Sequence, residues 1–278
     1  MSDTLVTTQT FTAFMKDHND PDMMKRNKIH TADGGSAYGF QGALIGGVTI
    51  YGWCIPAILD AMGEDWLDRG WIYIQFRRPT YPDEQVKVEI TQDDTGLHHL
   101  EATKDNGEVC LRAELGMGEA PWLKDFTLSK KMEADPKTED LEWLTLDNAP
   151  VGQDIRTLAY TITKDEARAL GNEQIQPMEL FTGDEPLVHP SVIARHMITL
   201  LAHSYHYGNP AIHASSHIQN FSRAVAGQTF TLTGHMVDAY EKNGHHYAVV
   251  DGDLFDESGK EIARIRHTNI FKVAKKGE

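Results

Sequence analysis

The order of elements written into residues 46–117 recurs in residues 190–271, and that self-similarity restricts the chain to architectures built from two like units. In the first half, the run Gly46-Gly47-Val48-Thr49-Ile50-Tyr51-Gly52-Trp53-Cys54-Ile55-Pro56-Ala57-Ile58-Leu59 is apolar on nearly every side. Such a helix needs structure on all its faces, so the run predicts an enclosed core helix despite Pro56 and the internal glycine. Segments with strand character follow: Trp71 to Phe76, Gln85 to Ile90, His98 to Thr103 and Glu108 to Met117, separated by the turn-forming stretches YPDE, DDTG and KDNG. In the second half a helix is expected from Ser191 to Tyr205, introduced by Pro190 at a position where a missing N–H costs little. Strand-like segments follow again, Ala214 to Phe221, Gln228 to Val237, His245 to Phe255 and Glu261 to Phe271, broken by AVAG, KNG and DESG.

Individual residues repeat as well. Phe76-Arg77-Arg78 answers Phe221-Ser222-Arg223, and Gln85 answers Gln228. Each half also opens with a leading strand and a short helix, LVTTQTFTAFMKD in the first and RTLAYTITKDEARAL in the second. Between the halves, KKMEADPKTEDLEWLTLDNAP is acidic, contains proline and has no clear period, which marks a connector. The expected organisation is a first repeat over residues 1–121, a linker over 122–150 and a second repeat over 151–278. A long apolar helix cupped by an antiparallel sheet, made twice, is an α+β double hotdog: two antiparallel sheets, each wrapped around a central helix. Two unrelated α+β domains are the alternative.

Charge and composition narrow the partners. With 40% hydrophobic and 24% charged residues, the 278-residue chain lies in the globular range. The formal net charge of −15 repels phosphate backbones and anionic lipid, and no Lys/Arg-rich run offsets it, so neither nucleic acid nor a membrane is an expected partner. No stretch approaches the ~20 apolar residues of a membrane span, and MSDTLVTTQTF lacks the basic end and apolar core of a signal peptide, so a cytoplasmic location is expected. Cys54 and Cys110 read as small buried hydrophobes. His196, His203, His206, His213 and His217 crowd the second half, but His196 and His203 are two helical turns apart and no HExxH or Cys/His cluster is present. A metal site is therefore not expected, and polar core or interface histidines are the simpler reading. The glycine-rich GGSAYGFQGALIGG lacks the Gly-Lys-Ser/Thr ending of a phosphate loop and the strand–GxGxxG–helix setting of a dinucleotide site, so no cofactor is expected.

One segment carries candidate chemistry. Asn27-Lys28-Ile29-His30, then Ala37-Tyr38-Gly39-Phe40-Gln41-Gly42 and the glycine pair Gly46-Gly47, resembles the hydratase motif of MaoC-like proteins, a family that includes (R)-specific enoyl-CoA hydratases. The family pattern is Asp-x-Asn-Pro-x-His, a Phe-containing loop and a glycine at the start of the central helix. Asn27, His30 and Gly47 match it. Lys25 stands at the place of the motif's Asp, Lys28 at that of its Pro, and Gly46 where members often have His. The stretches IRTLAYTITKDEARALGNE and VHPSVIA are similar to the non-catalytic repeat of two-repeat members, so the resemblance spans most of the chain. In many such relatives the motif-bearing repeat comes second, whereas here it comes first.

The resemblance implies a lyase of acyl-chain metabolism that adds water reversibly across a trans-2-enoyl thioester carried by CoA or an acyl-carrier protein. In that chemistry His30 exchanges a proton with water, and Asn27 orients water or the imidazole. The Gly47 N–H, unpaired at a helix start, stabilises the developing enolate oxygen. With lysine at position 25, Asp22 or Asp33 takes over the missing carboxylate's work, His30 acts alone, or the repeat only binds. Asn27 and His30 also suit a purely structural reading, as anchors of the loop before the helix. Arg77 and Arg78, at a strand end, suit the phosphates of a CoA or pantetheine arm, or simple surface charge. Arg223 has the same two readings, and His189 either caps the second helix or lines a second pseudo-site. A thioesterase and a non-catalytic acyl-thioester binder are the rival functions. A monomer and a homodimer both fit a chain whose two repeats can pair with each other.

Overall fold

The computed structural model describes residues 3–15 and 27–274. The first half contains strand β1 (Thr4–Thr12), a short helix α1 (Ala32–Ala37), the central helix α2 (Gly47–Met62), a single turn α3 (Trp66–Arg69), and strands β2 (Gly70–Phe76), β3 (Gln85–Gln92), β4 (His98–Lys104) and β5 (Val109–Met117). The second half contains β6 (Gln153–Asp154), β7 (Leu158–Ile162), α4 (Lys164–Asn172), α5 (Glu179–Thr182) and the central helix α6 (Pro190–Ser204). It closes with β8 (Ile212–Asn220), β9 (Gln228–Lys242), β10 (His245–Phe255) and β11 (Glu261–Lys272). Helix and strand positions thus follow the sequence pattern closely. Of the short helix expected to follow β1 within LVTTQTFTAFMKD, residues 13–15 are not helical and residues 16–17 lie outside those described.

The two sheets expected from sequence run together as one antiparallel surface in the order β1-β3-β4-β5-β2-β8-β11-β10-β9-β6, with β7 also on β9. The joint is the β2–β8 pair, in register from Trp71↔Gln219 to Gln75↔Ser215. At its centre Tyr73 and His217 are partners across the strands, and their rings stack with centroids 4.0 Å apart. Each repeat therefore uses the other to cover an edge strand that would otherwise be exposed.

Helix α2 is enclosed as its composition requires, with every residue from Ile50 to Leu59 buried. It packs on β1, β3 and β5 and on the second central helix α6. The crossing is close at Gly52, where a side-chain carbon would come within 2.7 Å of Gln174 Oε1 and 3.0 Å of Ser191 Oγ. Helix α6 starts with Pro190 at its first position, where proline's fixed φ suits the helix. Helix α4 is opened by a capping box between Thr163 and Glu166. The connector between the repeats crosses the sheet's second half, held where Thr127 N donates to Asp251 at 2.7 Å. Asp251 is buried and also takes two bonds from Arg266, at 2.6 and 2.7 Å.

Candidate active site

The loop before α2, the start of that helix and the segment after α6 enclose a cavity of about 640 Å³. Asn27, His30, Gly47, Arg77 and Arg78, the residues singled out from sequence, all line it.

His30 ends a 3-10 turn, Lys28–His30, and is half-buried. Its Nδ1 lies 2.6 Å from the Leu44 carbonyl oxygen, an acceptor only, so Nδ1 carries the proton and Nε2 is the free basic nitrogen. Burial pulls the imidazole's pKa below the ordinary 6.5, against the opposing effect of the Leu44 carbonyl. The ring faces the helix start: a carbon added to Gly46 would sit 3.6 Å from His30 Cε1 and 4.0 Å from Nε2. Gly46 is extended, with φ −62° and ψ 137°, and Gly47 begins the helix. Among the described residues the Gly47 N–H meets no acceptor, as expected for the first turn of a helix. A side chain at Gly47 would come within 2.9 Å of the Phe76 ring. A neutral base and an unpaired N–H at the positive end of a helix thus share one apolar-walled space.

Asn27 is placed differently from a water-orienting residue. Its Nδ2 donates to the Ala211 carbonyl at 2.7 Å and its Oδ1 accepts from the Ala211 N–H at 3.4 Å. The Lys28 N–H donates to Asn209 Oδ1 at 2.8 Å. The His30 loop is therefore clasped onto the second repeat, and Asn27 is one of the clasps. Of the carboxylates expected to replace the motif's acid, Asp33 is exposed in the first turn of α1 and does not line the cavity. Asp22 and Lys25 lie outside the described residues. Among the described residues, no aspartate or glutamate lines the cavity.

Arg77 and Arg78 follow directly on β2 and are exposed at the cavity's lip. Their place is fixed by backbone, the Arg77 N–H donating to the Cys110 carbonyl at 2.8 Å. Among the described residues neither guanidinium is in a direct ion pair, although Arg78 is near enough to Glu108 for its charge to help lower that carboxyl's pKa. Together with Arg112 and Glu108 they line a second groove adjoining the first. Arg112 was not singled out from sequence, and it pairs with Glu101 at 2.6 Å. Arg223, at the matching place of the second repeat, is bound to Asp68 at 2.9 Å and Glu64 at 3.5 Å across the repeat boundary.

The second repeat contributes cavity residues that sequence reasoning left unassigned or read as structural, including Tyr205, Tyr207, His213 and Asn269. A signal was present in β11, whose core-facing alternation Ala263, Ile265, His267, Asn269, Phe271 breaks from apolar to polar at His267 and Asn269. His196 and His203 are tied separately. His196 is bonded to the Val192 carbonyl and stacked on Tyr160, and His203 lies against the Asp135 carbonyl. Among the described residues no three His, Cys, Asp or Glu side chains are grouped to hold a metal ion.

These elements and this cavity define a double hotdog. No family model matches the chain, and no curated protein matches it in sequence. Solved structures do match. A protein of Chloroflexus aurantiacus described as a MaoC domain dehydratase superposes with a TM-score of 0.63 at 13% identity, over 98% of this chain and 95% of that one. A double-hotdog protein of Mycobacterium tuberculosis gives 0.59 at 11% identity, over 94% and 95%. An acyl-CoA thioesterase II of Mycobacterium marinum gives 0.50 at 13% identity, over 82% and 89%. The structural relatives of this fold thus include MaoC-like dehydratases and thioesterases. Among the described residues, no helix is long and apolar enough to cross a membrane.

Proposed function

We propose that this protein catalyses the reversible hydration of a trans-2-enoyl thioester to the 3-hydroxyacyl thioester. The observation that carries the reading is the pairing of His30, held with a free Nε2 by its 2.6 Å bond to Leu44, with the unpaired Gly47 N–H in one cavity. The thioester carbonyl oxygen accepts from the Gly47 N–H. His30 Nε2 takes a proton from water as the water oxygen bonds to C3 and the C2=C3 π electrons shift towards the carbonyl. The resulting enolate oxygen is held by that N–H and the helix dipole. The imidazolium then returns its proton to C2, which restores the thioester and the free base. Dehydration is the same path reversed. Asn27 acts as a positioning residue that fixes the His30 loop against the second repeat, and Arg77 and Arg78 receive the phosphates of a CoA or pantetheine arm.

Hydrolysis of the thioester is less well supported, because among the described residues no carboxylate lines the cavity to activate water against the carbonyl carbon. The test is incubation of the purified protein with trans-2-enoyl-CoA thioesters of increasing length, followed by mass spectrometry. Gain of one water with the thioester intact is expected for at least one length. Release of free CoA indicates a thioesterase instead, and saturable binding without any product indicates an acyl-thioester binding protein.

A further inference from the structure

The second repeat's side of the cavity carries polar groups that the hydration chemistry does not use. His213 on β8 and Asn269 on β11 are partners across the strand pair, next to the register irregularity between Thr268 and Asn269, and both line the cavity. Asn269 is 1% exposed and His213 8%. Among the described residues, Asn269 Oδ1 and Nδ2 lack a hydrogen-bond partner, and so by geometry does His213 Nδ1, although the Ser215 backbone lies close enough to the imidazole to act on it. The other ring nitrogen of His213 is 2.8 Å from Ser216 Oγ, which in turn lies 3.2 Å from His267 Nδ1, so the imidazole is held in place from behind. The ring also packs against Phe76, the side chain that covers Gly47, with centroids 4.6 Å apart. Buried polar groups are normally paired, and leaving one unpaired costs more than replacing it with an apolar residue of the same shape. Asn269 occupies a core-facing position where an aliphatic side chain would pack without that cost.

The chemistry of these groups selects their partner. The amide offers a donor and an acceptor side by side, and burial holds His213 in its neutral form. The positive charges lining the cavity among the described residues are Arg77 and Arg78, at the exposed lip and not at this buried wall. A carboxylate here would be a buried charge without a counter-ion. A hydroxyl or a carbonyl oxygen would satisfy the amide and the ring nitrogen together.

We infer that the acyl group taken by this site carries an uncharged oxygen function, a hydroxyl or carbonyl, held at the buried end of the cavity by Asn269 and His213. The inference rests on the thioester reading above for the rest of the ligand. Saturated acyl-CoA ligands test it by calorimetric binding without turnover: hexanoyl-CoA, its isomers hydroxylated at the fourth, fifth or sixth carbon, and its terminal-carboxy analogue. At least one hydroxylated isomer is expected to bind roughly 10-fold more tightly than hexanoyl-CoA, since a site built to hydrogen-bond a hydroxyl rejects the analogue lacking it. That advantage is expected to vanish in Asn269→Leu and to shrink in His213→Phe, each checked by thermal melting, while hexanoyl-CoA binds the variants as well as it binds the wild type.

Equal wild-type affinity for the plain and hydroxylated chains would overturn the inference and leave the hydration reading standing. Tightest binding of the carboxy analogue would overturn its uncharged character. A hydroxyl advantage that persists in both folded variants would overturn the assignment to these residues. Failure of every acyl-CoA to bind would remove the thioester reading and this inference with it.

Discussion

The two central helices occupy equivalent places in the repeats and begin in opposite ways. Helix α2 begins at Gly46-Gly47, where the Gly47 N–H is unpaired beside a half-buried His30. Helix α6 begins at His189-Pro190, and proline has no N–H to offer. His189 is 2% exposed, its Nδ1 accepting from the Ser191 N–H at 3.3 Å and its ring packed on Phe181 at 4.6 Å. The strand ends differ in the same sense: Arg77 and Arg78 are exposed and in no direct ion pair among the described residues, whereas Arg223 is neutralised by Asp68 and Glu64. One scaffold thus leaves a helix start open at one end and fills it at the other. The difference turns on a few side chains, because the frame that positions both starts is shared.

That contrast can be broken from either side. The largest effect is expected from His30→Ala, which removes the base and should lower kcat for enoyl-CoA hydration by about 10²–10⁴. The melting temperature should change little, since among the described residues the His30 side chain makes one hydrogen bond, to Leu44. Loss of folding would instead make His30 an anchor like His189. Next comes Gly47→Pro, which gives the first repeat the helix start of the second. Loss of the N–H should cost about 10²–10³ in kcat. Gly47→Ala, which meets the same Phe76 ring but keeps the N–H, separates crowding from donation.

Arg78→Ala should raise KM roughly 10-fold, with a salt dependence weaker than the wild type's and kcat nearly unchanged. Arg223→Ala should leave KM alone and lower the melting point, because its guanidinium bridges the repeats. Equal KM effects of the two arginine substitutions would erase the distinction between the two strand ends.

The smallest effects are in pH. Because burial lowers the His30 pKa, kcat/KM for hydration should hold its plateau below pH 6.5 and fall only at more acid pH, where the base is protonated. Stability follows the second repeat. Burial takes His189 and His267 down to about 3, and His196 and His217 to about 4. Between those values and 6.5 the unfolded chain binds protons that the folded chain refuses, so stability present above pH 6.5 is lost as pH falls towards 3. Scanning calorimetry across that range should show a falling melting temperature. A rise would mean that proton uptake by the folded chain, as at Asp253, whose pKa burial raises to about 8, outweighs the histidines.

Much of this was legible in the sequence, because its signals are local. The apolar run of α2, Pro190 at a helix start and the KNG turn between β9 and β10 each act over a few residues, and all lie where the pattern puts them. Asn27, His30 and Gly47 stand out because they match the MaoC-like hydratase motif, and Arg77 and Arg78 because they are paired cations at a strand end. What escaped depends on contacts between distant residues. Of the two places the sequence allows Asn27, orienting water or the imidazole and anchoring the loop, its amide takes the second, and the partner, Ala211, lies 184 positions away where no local pattern points. A period of two assigns Asn269 to the buried face of β11, yet only the pairing of β11 with β8 brings it beside His213. That the two repeats can pair was expected, but that β2 and β8 are the strands that join them is something no local pattern specifies.

The most direct test of hydration at the first helix uses 3-hydroxyacyl-CoA incubated with the wild-type protein in heavy-oxygen water. Reversible dehydration and rehydration predicts label entering the C3 hydroxyl of an intact thioester, at a rate that collapses in His30→Ala. Label appearing only in a released carboxylate, or exchange that survives in His30→Ala, would contradict the account.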